Sequence, residues 1–202
     1  MADLRRSPLA HLTFPQGLTE LPFRTMVNLR VEPSSETAAR VEKALGTTLP
    51  RQCGQTSEAG SRTVFWLGPD EWLVLADSAE VISELVEALG GEPGSAVDVS
   101  ANRTIVELSG PFARDVLEKG CPVDLHPREF GPGNAVQTTV GPVPVLLWQT
   151  DAETYRLFPR SSFADYLARW LMDAMSEYVP FAPQQQSWRV SGSEPDLGSL
   201  DE

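Results

Sequence analysis

The chain has 202 residues with 16 Lys and Arg against 28 Asp and Glu, a formal net charge of −12. That charge would repel a phosphate backbone or an anionic lipid surface, and no apolar run is long enough to span a bilayer, so nucleic-acid and membrane partners are not expected. With only Cys53 and Cys121, no Cys-x-x-Cys and no secretory leader, the composition points to a cytoplasmic protein with two free thiols.

Residues 1–23 form an arm in which Leu4, Leu9, Leu12, Phe14, Leu18, Leu21 and Phe23 follow neither a helical nor an alternating period and are interrupted by three prolines. Such a segment packs on something. One reading is a docking element, with Arg5 and Arg6 offering guanidinium forks and Pro8, Leu9, Leu12 and Phe14 offering apolar anchors to a partner subunit. The other is a strap over the core of its own domain.

Residues 24–178 predict a single α+β domain that is internally duplicated, with halves of about 24–90 and 97–178, each strand, helix, hairpin, helix. In the first half Met26 to Val31 alternates apolar and polar residues, and a helix ends at Lys43 and Gly46, suited to its C-terminal dipole and a left-handed cap. The hairpin Trp66 to Leu75 follows, then a helix from near Ser78 with Val81, Ile82, Leu85, Val86 and Leu89 on one face. The second half repeats the plan with Thr104 to Leu108, a helix from Ala113 ending at Lys119 and Gly120, and the hairpin Trp148 to Leu157. Its last helix carries Phe163, Tyr166, Leu167, Trp170 and Leu171 on one side. Ser109 and Pro111 suit the start of the third helix, and Ser162 with Asp165 resembles a capping box. Trp66 and Trp148, Leu73 and Tyr155, and Leu75 and Leu157 all stand 82 positions apart. Residues 179–202, rich in Gly, Pro, Ser and acids, predict a flexible acidic tail.

Chemistry is sparse. His11 and His126 are the two histidines, and neither lies at metal-ligand spacing from Cys, Asp or Glu, so no metal site is expected. Gly131-Pro132-Gly133 and Gly90-Gly91 read as turns, because a proline inside the first removes an amide that a bound phosphate would want. No nucleophile elbow or Ser-His-Asp pattern is present. Asp70, Glu71, Asp151 and Glu153 fall at hairpin tips, where acids support turns. Asp98, beside Ser100, Asn102 and Arg103, reads as a satisfied strand-end carboxylate before a general base, and Asp124 as a local hydrogen-bond acceptor in a proline-rich loop.

Val97-Asp98-Val99-Ser100, Thr104 to Leu108, Phe112-Ala113, Val116-Leu117, Asp124-Leu125 and Phe130-Gly131-Pro132-Gly133 resemble the folate-binding domain of the aminomethyltransferase T-protein of the glycine cleavage system. Arg6-Ser7-Pro8-Leu9, Leu67-Gly68-Pro69-Asp70-Glu71-Trp72, Asp98-Val99-Ser100-Ala101-Asn102-Arg103 and Cys121 to Phe130 resemble more closely the gamma subunits of heterotetrameric sarcosine oxidases. The fold implied is aminomethyltransferase-like. The function implied is that of a non-catalytic structural subunit, with no cofactor of its own. Its implied partners are an alpha subunit with NAD and tetrahydrofolate sites, a beta subunit with FAD and covalent FMN, and a small zinc-binding delta subunit. Such a complex oxidatively demethylates sarcosine to glycine, forming hydrogen peroxide and formaldehyde or 5,10-methylenetetrahydrofolate, and another N-methyl amine is an alternative substrate.

Asp124 matches the catalytic aspartate of the T-protein pattern, which keeps open a rival: a free-standing folate-binding protein or folate-dependent enzyme with Asp124 as its catalytic group. The pattern departs at Ala101, where the T-protein often has histidine, and at Ala135-Val136, in place of its tyrosine-serine pair.

Overall fold

A computed structural model describes residues 6–178. The elements are β1 (Leu18–Glu20), β2 (Thr25–Val31), α1 (Glu36–Leu45), β3 (Thr56–Ala59), β4 (Arg62–Gly68), β5 (Glu71–Ala76) and α2 (Glu80–Leu89), followed by β6 (Gly94–Asp98), β7 (Val106–Ser109), α3 (Ala113–Glu118), β8 (Ala135–Val140), β9 (Val143–Asp151), β10 (Thr154–Pro159) and α4 (Ala164–Met175). They form two antiparallel sheets of five strands, in the orders β3-β4-β5-β2-β6 and β8-β9-β10-β7-β1. The chain is therefore α+β, with two more strands in each half than the expected strand, helix, hairpin, helix. No helix among the described residues is long and apolar enough to cross a membrane.

Strand side chains alternate between faces, so a strand that is apolar throughout needs a core on each side. In β5, Trp72, Val74 and Ala76 pack with Val41, Leu45, Val81 and Leu85 of α1 and α2. Leu73 and Leu75 turn the other way, onto Met26, Phe65, Ile105, Leu146, Trp148 and Phe158. In the second sheet, Val145, Leu147, Tyr155 and Leu157 pack with Val116, Leu117, Leu167 and Leu171 of α3 and α4. The result is a layered sandwich with the helices outside and the two sheets meeting in the middle. Phe65 joins the sheets, with its ring centroid 5.1 Å from that of Trp148 and 5.6 Å from that of Phe158, both edge-on. Edge-to-face pairs of this kind contribute about 0.5–1.5 kcal/mol each beyond their buried area.

The hairpin registers correct the spacing read from the sequence. Val64 pairs with Val74 and Leu147 with Leu157, and Phe65 pairs with Leu73 and Trp148 with Arg156, so the registers of the two hairpins coincide at an offset of 83 positions rather than 82. Each hairpin also carries a bulge, at Leu67 and at Thr150. A slip of one residue exchanges the faces of a strand, which is why Leu73 points to the middle layer while Tyr155 points to the helices.

Several local expectations also change. Gly46 closes α1 in the left-handed conformation with φ 75°, whereas Gly120 does not close α3 in that way. At Gly120 an added Cβ would lie 2.5 Å from the Trp170 ring, so the residue is small in order to seat the indole. Lys119 donates instead to the Ala174 carbonyl of α4 at 2.5 Å and pairs with Glu177. Neither expected serine cap forms: α3 and α4 start without a side-chain cap, and Asp165 pairs with Arg169 and His11. Val86, Phe163 and Tyr166, expected on buried faces, are exposed. Cys53 is exposed and Cys121 buried, each a free thiol.

The arm is built into the domain. Gly17, with φ 90°, brings its carbonyl within 2.7 Å of the Ser109 amide and starts β1, which pairs with β7. Leu9 is 1 % exposed in the core beneath α3 and α4, and Leu12 and Phe14 pack partly against the same core. Leu9 is thus taken up by its own domain, and Leu12 and Phe14 rest partly on the same core, because apolar side chains with no secondary structure of their own gain by covering the nearest open core. Arg6 and Pro8 stay at the surface and half-buried respectively, and Arg5 and the tail at 179–202 lie outside the described residues. Leu9→Ala should cost about 2–5 kcal/mol. Its melting temperature should fall by about 5–15 °C in scanning calorimetry, and an unchanged value would contradict the strap.

Candidate functional site

Two stretches far apart in the chain, Arg6-Ser7-Pro8 and Ser100 to Ile105, meet beside the connection from β1 to β2 and enclose a cavity of about 560 Å³. Reciprocal backbone bonds bring the connections together: the Leu21 amide donates to the Ile105 carbonyl and the Val99 amide to the Met26 carbonyl, both at 2.9 Å. Met26 and Ile105 belong to the core between the sheets and also line the cavity, so the cavity is the open end of that middle layer.

Most of its polar groups are mutually satisfied. The buried Ser100 accepts the Met26 amide at 2.9 Å, and its hydroxyl donates to Asp98 at 2.5 Å. Asp98 also accepts the Ser100 amide, as a carboxylate ending a strand does. Glu20 accepts from the Thr104 hydroxyl at 2.7 Å and from the Ser7 hydroxyl, and Ser7 in turn accepts the Leu9 amide at 3.0 Å. Arg24 pairs with Asp77 at 2.7 Å and donates to the Ser61 carbonyl at 2.9 Å. Arg103 differs. It donates to the Phe158 carbonyl at 2.8 Å and has no carboxylate partner among the described residues. Burial, and secondarily the like charge of Arg160, lower its pKa from the ordinary arginine value, yet a guanidinium in a protein remains charged.

The other candidate residues lie elsewhere. Asp124 is exposed, accepts the His126 amide at 2.9 Å and lines none of the cavities described here. Asp151 accepts the amide of the next residue, Ala152, at 2.6 Å, and Glu153 is exposed at the same hairpin tip. At the other tip Asp70 pairs with Arg30 and Glu71 accepts from Asn28 at 2.7 Å. No group of three His, Cys, Asp or Glu among the described residues could hold a metal ion. A wider hollow of about 700 Å³ lies between Glu42, Arg51 and Gly133, and one of about 290 Å³ between Leu108, Phe112 and Tyr178. The sequence reading did not anticipate that Phe23, Thr104 and Ile105 line a shared cavity. A signal exists in the parallel Arg24-Thr25-Met26 and Arg103-Thr104-Ile105, which recur where each connection enters its sheet.

The profile of the sarcosine oxidase gamma subunit family matches residues 31–177. The chain belongs to that family. It is 47% identical over 188 residues to the sarcosine oxidase subunit gamma of an Arthrobacter species, covering 88% of this chain and 93% of that one. The subunit gamma of Corynebacterium sp. strain U-96 is 42% identical over 189 residues, covering 87% and 92%. Among solved structures, a chain of the heterotetrameric sarcosine oxidase from Corynebacterium sp. U-96 in complex with pyrrole 2-carboxylate superposes with a TM-score of 0.81 at 42% identity, covering 87% of this chain and 97% of that one. The glycine cleavage system aminomethyltransferase T from Bartonella henselae shares the fold, with a TM-score of 0.57 at 15% identity over 81% of this chain and 47% of that one.

Glu20 links the strap to the β6–β7 connection through Ser7 and Thr104. Glu20→Ala should leave the fold intact but speed hydrogen exchange at the Leu9 amide by about tenfold, as local opening of the strap becomes easier by about 1.4 kcal/mol. Exchange at the native rate would remove Glu20 as the link.

Proposed function

We propose that the chain is a non-catalytic structural subunit of a heterotetrameric sarcosine oxidase, and that it docks on the larger subunits and stabilises them. The observation that carries this reading is the near full-length similarity to one chain of a solved heterotetrameric sarcosine oxidase. On this reading the alpha, beta and delta subunits are its partners, and FAD, FMN, NAD, tetrahydrofolate and zinc are held by them. A catalytic role for Asp124 would need its carboxylate to face a bound ligand, whereas here it accepts the His126 amide at the surface and stabilises a turn.

We also infer that the two halves are copies of one unit of seven elements, β-β-α-β-β-β-α. Support comes from the matching strand orders, the common 83-position register of the hairpins and a bulge at the same place in each. The first strand of each half pairs with the second strand of the other, β1 with β7 and β6 with β2.

Co-expression with and without this chain tests the subunit role. Omitting it should lower the yield of intact flavin-containing complex by roughly tenfold while leaving sarcosine turnover per flavin in the surviving complex within about twofold. Stoichiometric flavin in the isolated chain would overturn the reading. Asp124→Asn should leave folate-coupled turnover of the assembled complex within about twofold, and a loss on the order of a hundredfold with normal assembly would favour the folate enzyme instead.

A further inference from the structure

The lining of the 560 Å³ cavity carries more positive charge than it neutralises. Its carboxylate, Glu20, is taken by the hydroxyls of Ser7 and Thr104, and Arg24 is taken by Asp77. Arg6 and Arg103 are left without a carboxylate partner among the described residues. A guanidinium offers five N–H donors, and a carbonyl at 2.8 Å engages only the Nη1 side of Arg103. Burying a charge without an ionic partner is unfavourable unless something supplies the counter-charge, and Arg103 is the partly buried member of the two. That two cations go unanswered on a protein with net charge −12 makes the cleft a positive spot on an acidic molecule. Beside the guanidinium groups the walls are apolar, with Leu21, Met26 and Ile105 at the end of the middle layer. A pocket of this volume with an apolar lining and a few convergent polar groups suits a ligand of several residues' side chains.

We propose that this cleft receives an acidic segment of a partner subunit, which sets a carboxylate on Arg103 and Arg6 and a neighbouring apolar side chain against Leu21, Met26 and Ile105. The inference rests on the reading of the chain as a subunit. A bidentate carboxylate answers the planar fork of Arg103 as a neutral segment cannot, and the long-range repulsion between this acidic chain and an acidic segment is outweighed at contact by two local cations. The strap forms one wall through Arg6 and Pro8, so the arm takes part in docking by shaping the cleft, while Leu9 stays in the core.

The test uses the co-expressed complex and measures the dissociation constant of the full chain for its partner subunits. Arg103→Gln removes the charge, Ala101→Trp fills the mouth of the cleft and leaves every charge in place, and Lys43→Gln on the exposed end of α1 serves as control. Both cleft variants should weaken assembly by about tenfold or more, the control by less than about twofold, and Arg103→Gln should flatten the salt dependence of binding. Melting temperatures of the isolated variants check the fold, and Ala101→Trp carries the decision if Arg103→Gln proves unstable. Assembly within about twofold of the unmodified chain for Ala101→Trp overturns the cleft proposal and leaves the subunit reading standing. An unmodified chain that binds none of the co-expressed subunits overturns both. If sodium succinate raises the melting temperature of the isolated chain, Arg103→Gln abolishes that rise and neither variant affects assembly, the cleft belongs to a small acid and the proposal falls.

Discussion

The middle layer governs the rest of this structure. Phe65 of the first sheet lies edge-on to Trp148 and Phe158 of the second, and Leu73, Leu75, Leu146 and Ile105 close around them. Once both sheets bury their inner faces, their outer faces can be covered only by helices, which leaves α1 and α2 on one side and α3 and α4 on the other. The arrangement has a polar cost, since Trp148 Nε1 has no hydrogen-bond partner among the described residues. Arg156, 5.3 Å above the same indole and paired with Glu107 at 2.9 Å, places its charge at the rim and covers the ring with its guanidinium. Where the middle layer runs out, Met26 and Ile105 pass from core to cavity wall. The cleft is thus a product of how the sheets meet, and not an addition to the fold.

The sequence revealed those parts of the structure in which a period is repeated several times. The helices α1, α2 and α4 and both hairpins carry apolar residues at regular spacing, and their presence was legible. What was missed follows from short or ambiguous signals. Thr56-Ser57-Glu58-Ala59 has no apolar alternation, and as an edge strand β3 needs none, because neither of its faces is fully buried. The three residues of β1 are too few to show a period. In β4 and β9 both faces are buried, so near-continuous apolar runs conceal the register, and the tryptophans at 66 and 148 suggested an alignment that is one residue out.

The candidate site was legible in fragments. Arg6-Ser7-Pro8 and Asp98 to Arg103 stood out as motifs, but nothing in either implies that Glu20 bridges them by accepting from Ser7 and Thr104. Long-range hydrogen bonds leave no trace in spacing. The arm is ambiguous for a related reason: an aperiodic apolar segment suits a partner or its own domain equally well, and the core beneath α3 and α4 takes up Leu9. Asp124, by contrast, accepts a local amide, that of His126, within its proline-rich loop.

The exchange of first strands has a consequence for how the protein comes into being. Leu18 pairs with Leu108, so the edge strand of the second sheet leaves the ribosome well before β7 and must wait for it. At a synthesis rate of about 5–20 residues per second that wait lasts roughly 5–20 seconds, during which the amides of β1 and the side chain of Leu9 have no seat. Meanwhile β2 can join β5 but not β6 until residues 94–98 follow. Neither sheet can be finished until the other has begun, and a nascent chain interrupted in its second half would carry two incomplete edges at once.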